Sequence, residues 1–410
     1  MPAGAIPGSA TGTERRVFDL LDPEFYRGDP QEAYAWMRAN EPVYRDDRNG
    51  VWGITKHADI QEVERLSSVF VSSMGYRVNW SPAEINMIAQ DNPRHQQQRH
   101  LVQGQLTRKG IEPRMPSVRA LVDELLDAID STGGADVEVV GALSGQLPAR
   151  TTCQLLGFPE EMWPQLKSWS ERLMRTDMMH RDGPIFAEFM DANIEFMTAA
   201  GMIAPQKLEA AAQGCPMNDF MTIWLTQPID GQCLSPEAVM HELGLFIAGG
   251  AETTRTAISH GLRVFADHPD QWDAMAADPS LVPGAVEEVL RWVTPLNNMF
   301  RRASVDHEIR GVRIRRGDRL ALLYPAANRD EDVFADPHTF DIRRSPNPQI
   351  AFGFGTHLCV GANFARASLE TVFGEMSRRY RVPVVLAEPD VEANIFARAV
   401  KSFRVSLTPR

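Results

Sequence analysis

Cys359 stands in the run Phe352-Gly-Phe-Gly-Thr-His-Leu-Cys-Val-Gly361, and a helical pattern begins directly behind it. A thiol just before a helix start faces free backbone N–H groups and the positive end of the helix dipole, and both favour the thiolate. Gly353 and Gly355 open backbone conformations closed to other residues and let a flat ligand come close. Gly361 leaves room over the first helical turn. A second run, Ala248-Gly-Gly-Ala-Glu-Thr-Thr254, lies inside a long helical pattern. Two interior glycines cost about 1 kcal/mol each relative to alanine, so something must compensate for them. Thr253 is placed to bond back to the Gly249 carbonyl, a contact that bends helices. Each run also has a plain alternative: a buried structural cysteine beside a turn, and two helices packed closely at Gly-Gly.

Two further spacings matter. Glu288 and Arg291 stand three residues apart, on one helix face. His95 and Arg99 stand four apart, behind a Pro93 that can open a helix. On their own these are a surface ion pair of little worth and a solvated basic face.

The elements that must position these residues are mostly helical. Helices are expected at 31–40, 58–66, 93–105, 118–129, 159–175, 184–199, 269–277, 283–293 and 361–380, with strands at 42–45, 51–55, 309–314 and 319–323. The longest helix is expected from Ser235 to about Asp267, with Ser235 as N-cap, Pro236 at the first position and Glu237 in the first turn. At 1.5 Å per residue it would run about 45–50 Å, enough to cross a large domain. A long irregular stretch, 327–355, precedes the cysteine run. The expected class is mainly α with a small β portion.

Composition narrows the function. The chain has 410 residues, 43% of them hydrophobic, which suffices for a large core. A formal net charge of -12 argues against a nucleic-acid partner. Cys153, Cys215, Cys233 and Cys359 are scattered with no C-x-x-C pair, the usage of a reduced, cytoplasmic protein. The first 15 residues are expected to be a loose lead-in to one domain spanning 16–410. No apolar stretch of about twenty residues occurs, so no membrane anchor is expected.

The cysteine run resembles the haem-binding loop of the cytochrome P-450 family, F-G-x-G-x-H-x-C-x-G, with each fixed position filled. Ala248–Thr254, Glu288–Arg291 and Asp91–Arg99 match further family segments in the expected order. The resemblance covers about Asp91 to Tyr380 and implies the cytochrome P-450 fold, with the long helix crossing over a haem b. It implies Cys359 as the thiolate on the iron, a ligation known for this family. It places Phe352, Gly353 and Gly361 against the cofactor, and Ala248 and Gly249 beside a dioxygen groove. Glu252 and Thr253 become the acid–alcohol pair that relays protons. His95, Arg99, Arg301 and His357 become the ligands of the haem carboxylates, with Arg302 able to stand in for Arg301. Glu288 and Arg291 acquire a buried third partner, Arg344 or, failing it, Arg343. The chain departs from many relatives at Leu106-Thr107, where Phe-Thr is common, a change of packing alone.

The implied function is insertion of one atom of dioxygen into an apolar substrate by a bacterial monooxygenase. A steroid or terpenoid comes first and a fatty acyl chain next. The chain has only the length of a haem domain, so electrons would come from a separate ferredoxin and reductase. Arg108, Lys109 and Arg114 form a basic cluster for the donor. A monomer is expected. Substrate walls are expected at 69–88, 174–197, 295–299 and 395–396, with Met178, Met179, Phe186, Phe189, Met190 and Met299 as candidates. The rivals are a haem-thiolate sensor or electron carrier and a peroxide-driven peroxygenase, both of which leave the acid–alcohol pair without a purpose. A structural zinc site lacks a second cysteine near Cys359 and His357.

Overall fold

The computed structural model describes residues 15–178, 183–215 and 218–410. The expected loose lead-in lies outside them except for Arg15, which pairs with Glu41 and Asp47. Helices dominate, and eight of them build the site: α1 (His57–Arg65), α2 (Arg94–Gln103), α3 (Gln146–Leu156), α4 (Trp163–Leu173), α5 (Pro184–Ala212), α6 (Pro236–Asp267), α7 (Val282–Val293) and α8 (Ala362–Arg379).

Helix α6 is the axle of the structure. Its N-cap Ser235 accepts the Ala238 N–H, and Pro236 opens the first turn. Its 32 residues give a length of about 48 Å at 1.5 Å per residue. It packs against α3, α4, α7 and α8. Val239, Leu243, Ile247, Ile258, Leu262 and Phe265 are buried along it. Such an all-round burial suits a helix threaded through a core rather than laid upon one.

The β portion is small. A five-stranded sheet runs in the order Val43–Asp46, Val51–Ile54, Arg319–Leu322, Met299–Ala303, Phe70–Val71. Only the pairing of Val51–Ile54 with Arg319–Leu322 is parallel. This sheet sets Arg301 opposite Leu320 on an inner strand. A second sheet joins Val384–Val391 and Val400–Ser406 to the short Val137–Glu138.

The expected elements 31–40, 269–277 and 283–293 form where the pattern placed them, within one residue. Helix 118–129 begins earlier, at Met115, because Pro116 suits a helix start. Helix 184–199 runs on to Ala212 with Pro205 inside it. The expected strand 309–314 is a hairpin, since Arg310 and Gly311 both take positive φ and turn the chain.

The irregular stretch between Ala327 and Gly355 is held by side chains in place of a sheet ladder. Glu288 and Arg291, both fully buried, meet through two hydrogen bonds of 2.8 and 2.7 Å. Arg291 also donates to the carbonyls of Asn328, Pro337 and Thr339. Arg344, not Arg343, is the third member: its Nε lies 3.3 Å from Glu288, and its other nitrogens reach the carbonyls of Ala335, Asp336 and Thr339. Asn347 and the Asp341 N–H complete the shell around Glu288.

Candidate active site

An interior cavity of about 800 Å³ opens between α6 and the start of α8. Gly249, Thr253, Cys359, His95, Arg99, Arg301 and His357 all line it. Residues more than 260 positions apart in sequence are thus gathered around one space.

On α6, Thr253 Oγ1 donates to the Gly249 carbonyl at 2.9 Å. The two glycines divide the work. A Cβ at Gly250 would stand 2.7 Å from Thr152 Oγ1 on α3, so this glycine permits close helix packing. A Cβ at Gly249 would meet nothing within 4 Å, and this residue faces the cavity. Close packing and an open groove therefore coexist in one dipeptide. Glu252 is absent from the cavity wall. It is buried beside Arg255, which also grips Glu171 on α4. Burial raises the Glu252 carboxyl above its ordinary range, with Arg255 opposing.

In the cysteine run, Gly353 and Gly355 take φ of +72° and +68°. A Cβ at Gly355 would come within 2.6 Å of the Glu64 carbonyl oxygen. Both position and conformation thus require glycine. The Cys359 N–H donates to the Phe352 carbonyl at 2.9 Å, closing the loop. The Phe352 ring lies 4.5 Å from the Arg366 guanidinium.

Cys359 is accessible from the cavity yet enclosed by protein, so its surface faces an internal space and not bulk solvent. Its thiol differs from expectation. The Gly361 and Ala362 N–H groups and the charges of Arg99 and Arg366 do favour the thiolate, but burial outweighs them and the thiol is raised. A coordinated metal cation removes that penalty, because it deprotonates a bound thiol outright.

The rim of the cavity is cationic. The rings of His95 and His357 lie 4.0 Å apart. Burial and neighbouring arginines push His95 down to about 4 and His357 to about 2, so both are neutral. Arg99 has no ion-pair partner among the described residues, and burial lowers it. Arg301 is 3% exposed and faces the cavity, whereas its neighbour Arg302 does not line it. A half-buried arginine without a counter-anion, beside two neutral imidazoles, calls for an acidic ligand. A flat group with carboxylates at one edge and a metal at its centre fits this donor set: glycines along its faces, one sulfur, and bases at the rim. Among the described residues no three His, Cys, Asp or Glu side chains cluster as a polydentate metal site.

The walls are mainly apolar. The expected segments supply Met87, Met174, Phe189, Met190, Met299 and Phe396. Met178 and Phe186 do not line the cavity, and Met179 lies outside the described residues. Sequence reasoning missed α3, whose Leu147, Thr151 and Leu155 form one wall, and the inner face of α6 at Met240 and Gly244. It also missed Glu64, which brings a carboxyl into the same space, while Tyr76, Arg77 and Glu84 bring polar groups from the expected segment 69–88.

The geometry agrees with three comparisons. The family model described as Cytochrome P450 matches residues 172–404. The chain is 36% identical to a steroid C26-monooxygenase of Mycobacterium tuberculosis (strain ATCC 25618 / H37Rv), over 97% of this chain and 98% of that one. It is 31% identical to a linalool 8-monooxygenase of Pseudomonas putida, over 96% and 99% of the two chains. Among solved structures, it is similar to Mycobacterium marinum cytochrome P450 CYP268A2 in complex with pseudoionone, with a TM-score of 0.83, 28% identity and coverage of 97% and 100%. No described helix is long and apolar enough to cross a membrane. With a thiol facing the glycine–threonine stretch of α6 across an apolar cavity, the chain belongs to the cytochrome P450 family, and it is a haem b monooxygenase of apolar substrates.

Proposed function

We propose that the chain hydroxylates a steroid or terpenoid that carries an alcohol at the end remote from the site of oxidation. The observation that carries this reading is the polar corner of an otherwise apolar cavity. Arg77 lies there, but Asp177 already meets its charge at 3.2 Å, and the Phe396 ring lies 4.1 Å from it. The Glu84 carboxyl is different. Its Oε2 is buried without a hydrogen-bond partner, and burial raises the group, with Arg77 and Tyr76 opposing. Among the described residues this corner offers one unpartnered carboxyl oxygen and no unpaired cation, which suits a hydroxyl rather than a fatty acid's carboxylate. The names of the steroid C26- and linalool 8-monooxygenases support the same substrate classes.

Bound haem b supplies the redox and oxygen-activating chemistry. Cys359 would ligate its iron, and Arg99, Arg301, His95 and His357 would hold its carboxylates. Phe352, Gly353 and Gly361 would border it on the thiolate side, and Ala248 and Gly249 on the other. Thr253 presents its hydroxyl to the cavity and holds a proton there. Glu252 is its source of protons, and reaches the hydroxyl only by exchanging its contact with Arg255. The electron donor is a ferredoxin-type protein received at Arg108 and Lys109, which are exposed. Arg114 contributes less, because it is engaged by Gln105 and the Asn218 carbonyl. Charge reversal at Arg108 and Lys109 tests this part, with slower reduction expected; unchanged reduction kinetics refute it.

The substrate test is a spectral titration with a sterol, a terpene alcohol, and a fatty acid. The first two should shift the haem absorption at low concentration, and Glu84→Leu should weaken them by about tenfold or more, the value of a lost hydrogen bond to a charged group. Preference for the fatty acid, or alcohols unaffected by Glu84→Leu, would defeat the assignment.

A further inference from the structure

Glu64 sits near the end of α1, 4% exposed, and no step above uses it. Its Oε1 accepts the Tyr324 hydroxyl at 2.8 Å and lies 3.3 Å from Arg301 Nη2. Its Oε2 is buried without a hydrogen-bond partner of good geometry. The carboxyl lines the cavity on the rim that also carries His95, Arg99, Arg301 and His357. Tyr324 and Arg301 hold the carboxyl in place, and the Gly355 backbone packs closely on the Glu64 main-chain carbonyl.

The groups around it differ in their capacity for a proton. Arg301 faces it from the strand Met299–Ala303, and Tyr324 from the short helix Tyr324–Ala327. Arg65, next in sequence, lies 5.5 Å from the Phe354 ring. Arginine side chains do not deprotonate in proteins. Tyr324 is buried and held protonated. His95 and His357 are held neutral, with values of about 4 and 2. Burial pushes Glu64 up to about 7, with Arg301 first and then Tyr324 opposing and the Phe354 backbone adding weak support. Of this set, Glu64 alone changes charge near neutrality.

We propose that Glu64 shares Arg301 with a haem carboxylate and takes up a proton when the haem is reduced, so that the protein's own carboxyl tunes the reduction potential. One electron enters from the external one-electron donor that the activity requires. One proton from solvent adds to the Glu64 carboxylate, and the O–H bond is the only bond made. Reduction adds a negative charge to an enclosed space, and protonating Glu64 returns Arg301 wholly to the haem carboxylate. The proposal rests on the rim binding those carboxylates, and does not depend on the substrate.

The test is the reduction potential of the haem-loaded protein, measured from about pH 6 to pH 9. The natural protein's potential should fall as pH rises through this window. Glu64→Gln, which keeps shape and hydrogen bonding, should flatten the fall. Tyr324→Phe removes a donor to the ionised carboxyl, so the break should move to higher pH. The reduced carbon monoxide difference spectrum is recorded on each variant. A variant that keeps the thiolate band and the full pH slope overturns the role of Glu64 and leaves Cys359 standing; a natural protein without that band overturns the ligation instead. If Glu64→Gln fails to hold haem, the Tyr324→Phe break decides alone, and an unmoved break refutes the proposal.

Discussion

Glu252 and Arg255 form a buried ion pair one turn apart on α6, and the same guanidinium grips Glu171 on α4. The acid is thus locked behind the helix while the adjacent Thr253 hydroxyl looks into the cavity. The Glu252 carboxyl and the Thr253 side chain thus stand on different sides of one helical turn.

Thr253→Ala should leave substrate binding intact and divert electrons from product to peroxide. Product per electron should fall by up to about 10²-fold, the lower range for loss of a positioned proton donor. Measuring product and peroxide against electrons consumed checks this. Coupling preserved in the variant removes Thr253 from the proton path.

Cys359→Ala should abolish the reduced carbon monoxide band of thiolate-bound haem while the fold persists by circular dichroism. An unchanged band would mean that another side chain ligates the iron.

Gly249 and Gly250 should respond oppositely to alanine. Gly250→Ala drives a methyl against Thr152, and overpacking of this kind costs about 1–3 kcal/mol. Gly249→Ala meets no atom and gains about 1 kcal/mol of helix propensity, yet narrows the cavity. Thermal unfolding should rank Gly249→Ala the more stable and turnover should rank it impaired.

Removing Arg291 leaves Glu288 fully buried and without its main partner. Arg291→Ala should cost about 3–5 kcal/mol, measured as lost soluble, haem-loaded protein.

Glu242 gives a pH dependence of stability. It is fully buried, and burial pushes its carboxyl up to about 8 against a hydrogen bond from the Met87 N–H. Its folded value lies above the unfolded value of about 4.3, so the folded state binds more protons in between. Its contribution is therefore complete below about pH 4 and is lost as pH rises towards 8, at up to about 1.4 kcal/mol per unit. Glu242→Gln keeps the acceptor for Met87, and should flatten the slope in urea unfolding at a series of pH values.

The chemistry-bearing runs were legible because their signals are local. The Ser235-Pro-Glu start, the Gly-Gly-Ala-Glu-Thr run and the glycines before Cys359 each constrain their own neighbourhood. Helix α3 was missed because Pro148, Thr151 and Thr152 interrupt the apolar pattern; tertiary packing on α6 overrides them. Helix α5 runs past its expected end at residue 199, and Pro205 is tolerated within it. The helix-start argument for Cys359 found N–H groups that do favour the thiolate, but it omitted burial, which outweighs them and which no spacing reveals. Glu64 and Glu84 carry no local mark at all. Their burial is created by distant partners, Tyr324 being 260 positions from Glu64.

The arginine-held stretch before Cys359 has an evolutionary corollary. Surface loops usually accept insertions and deletions, because water replaces any backbone partner they lose. Here the carbonyls of Asn328, Ala335, Asp336, Pro337 and Thr339 are matched to two guanidinium forks of fixed reach. Adding or deleting one residue would slide these carbonyls off the forks. Length in this stretch should therefore drift far less among descendants of this gene than residue identity does, despite its lack of regular structure.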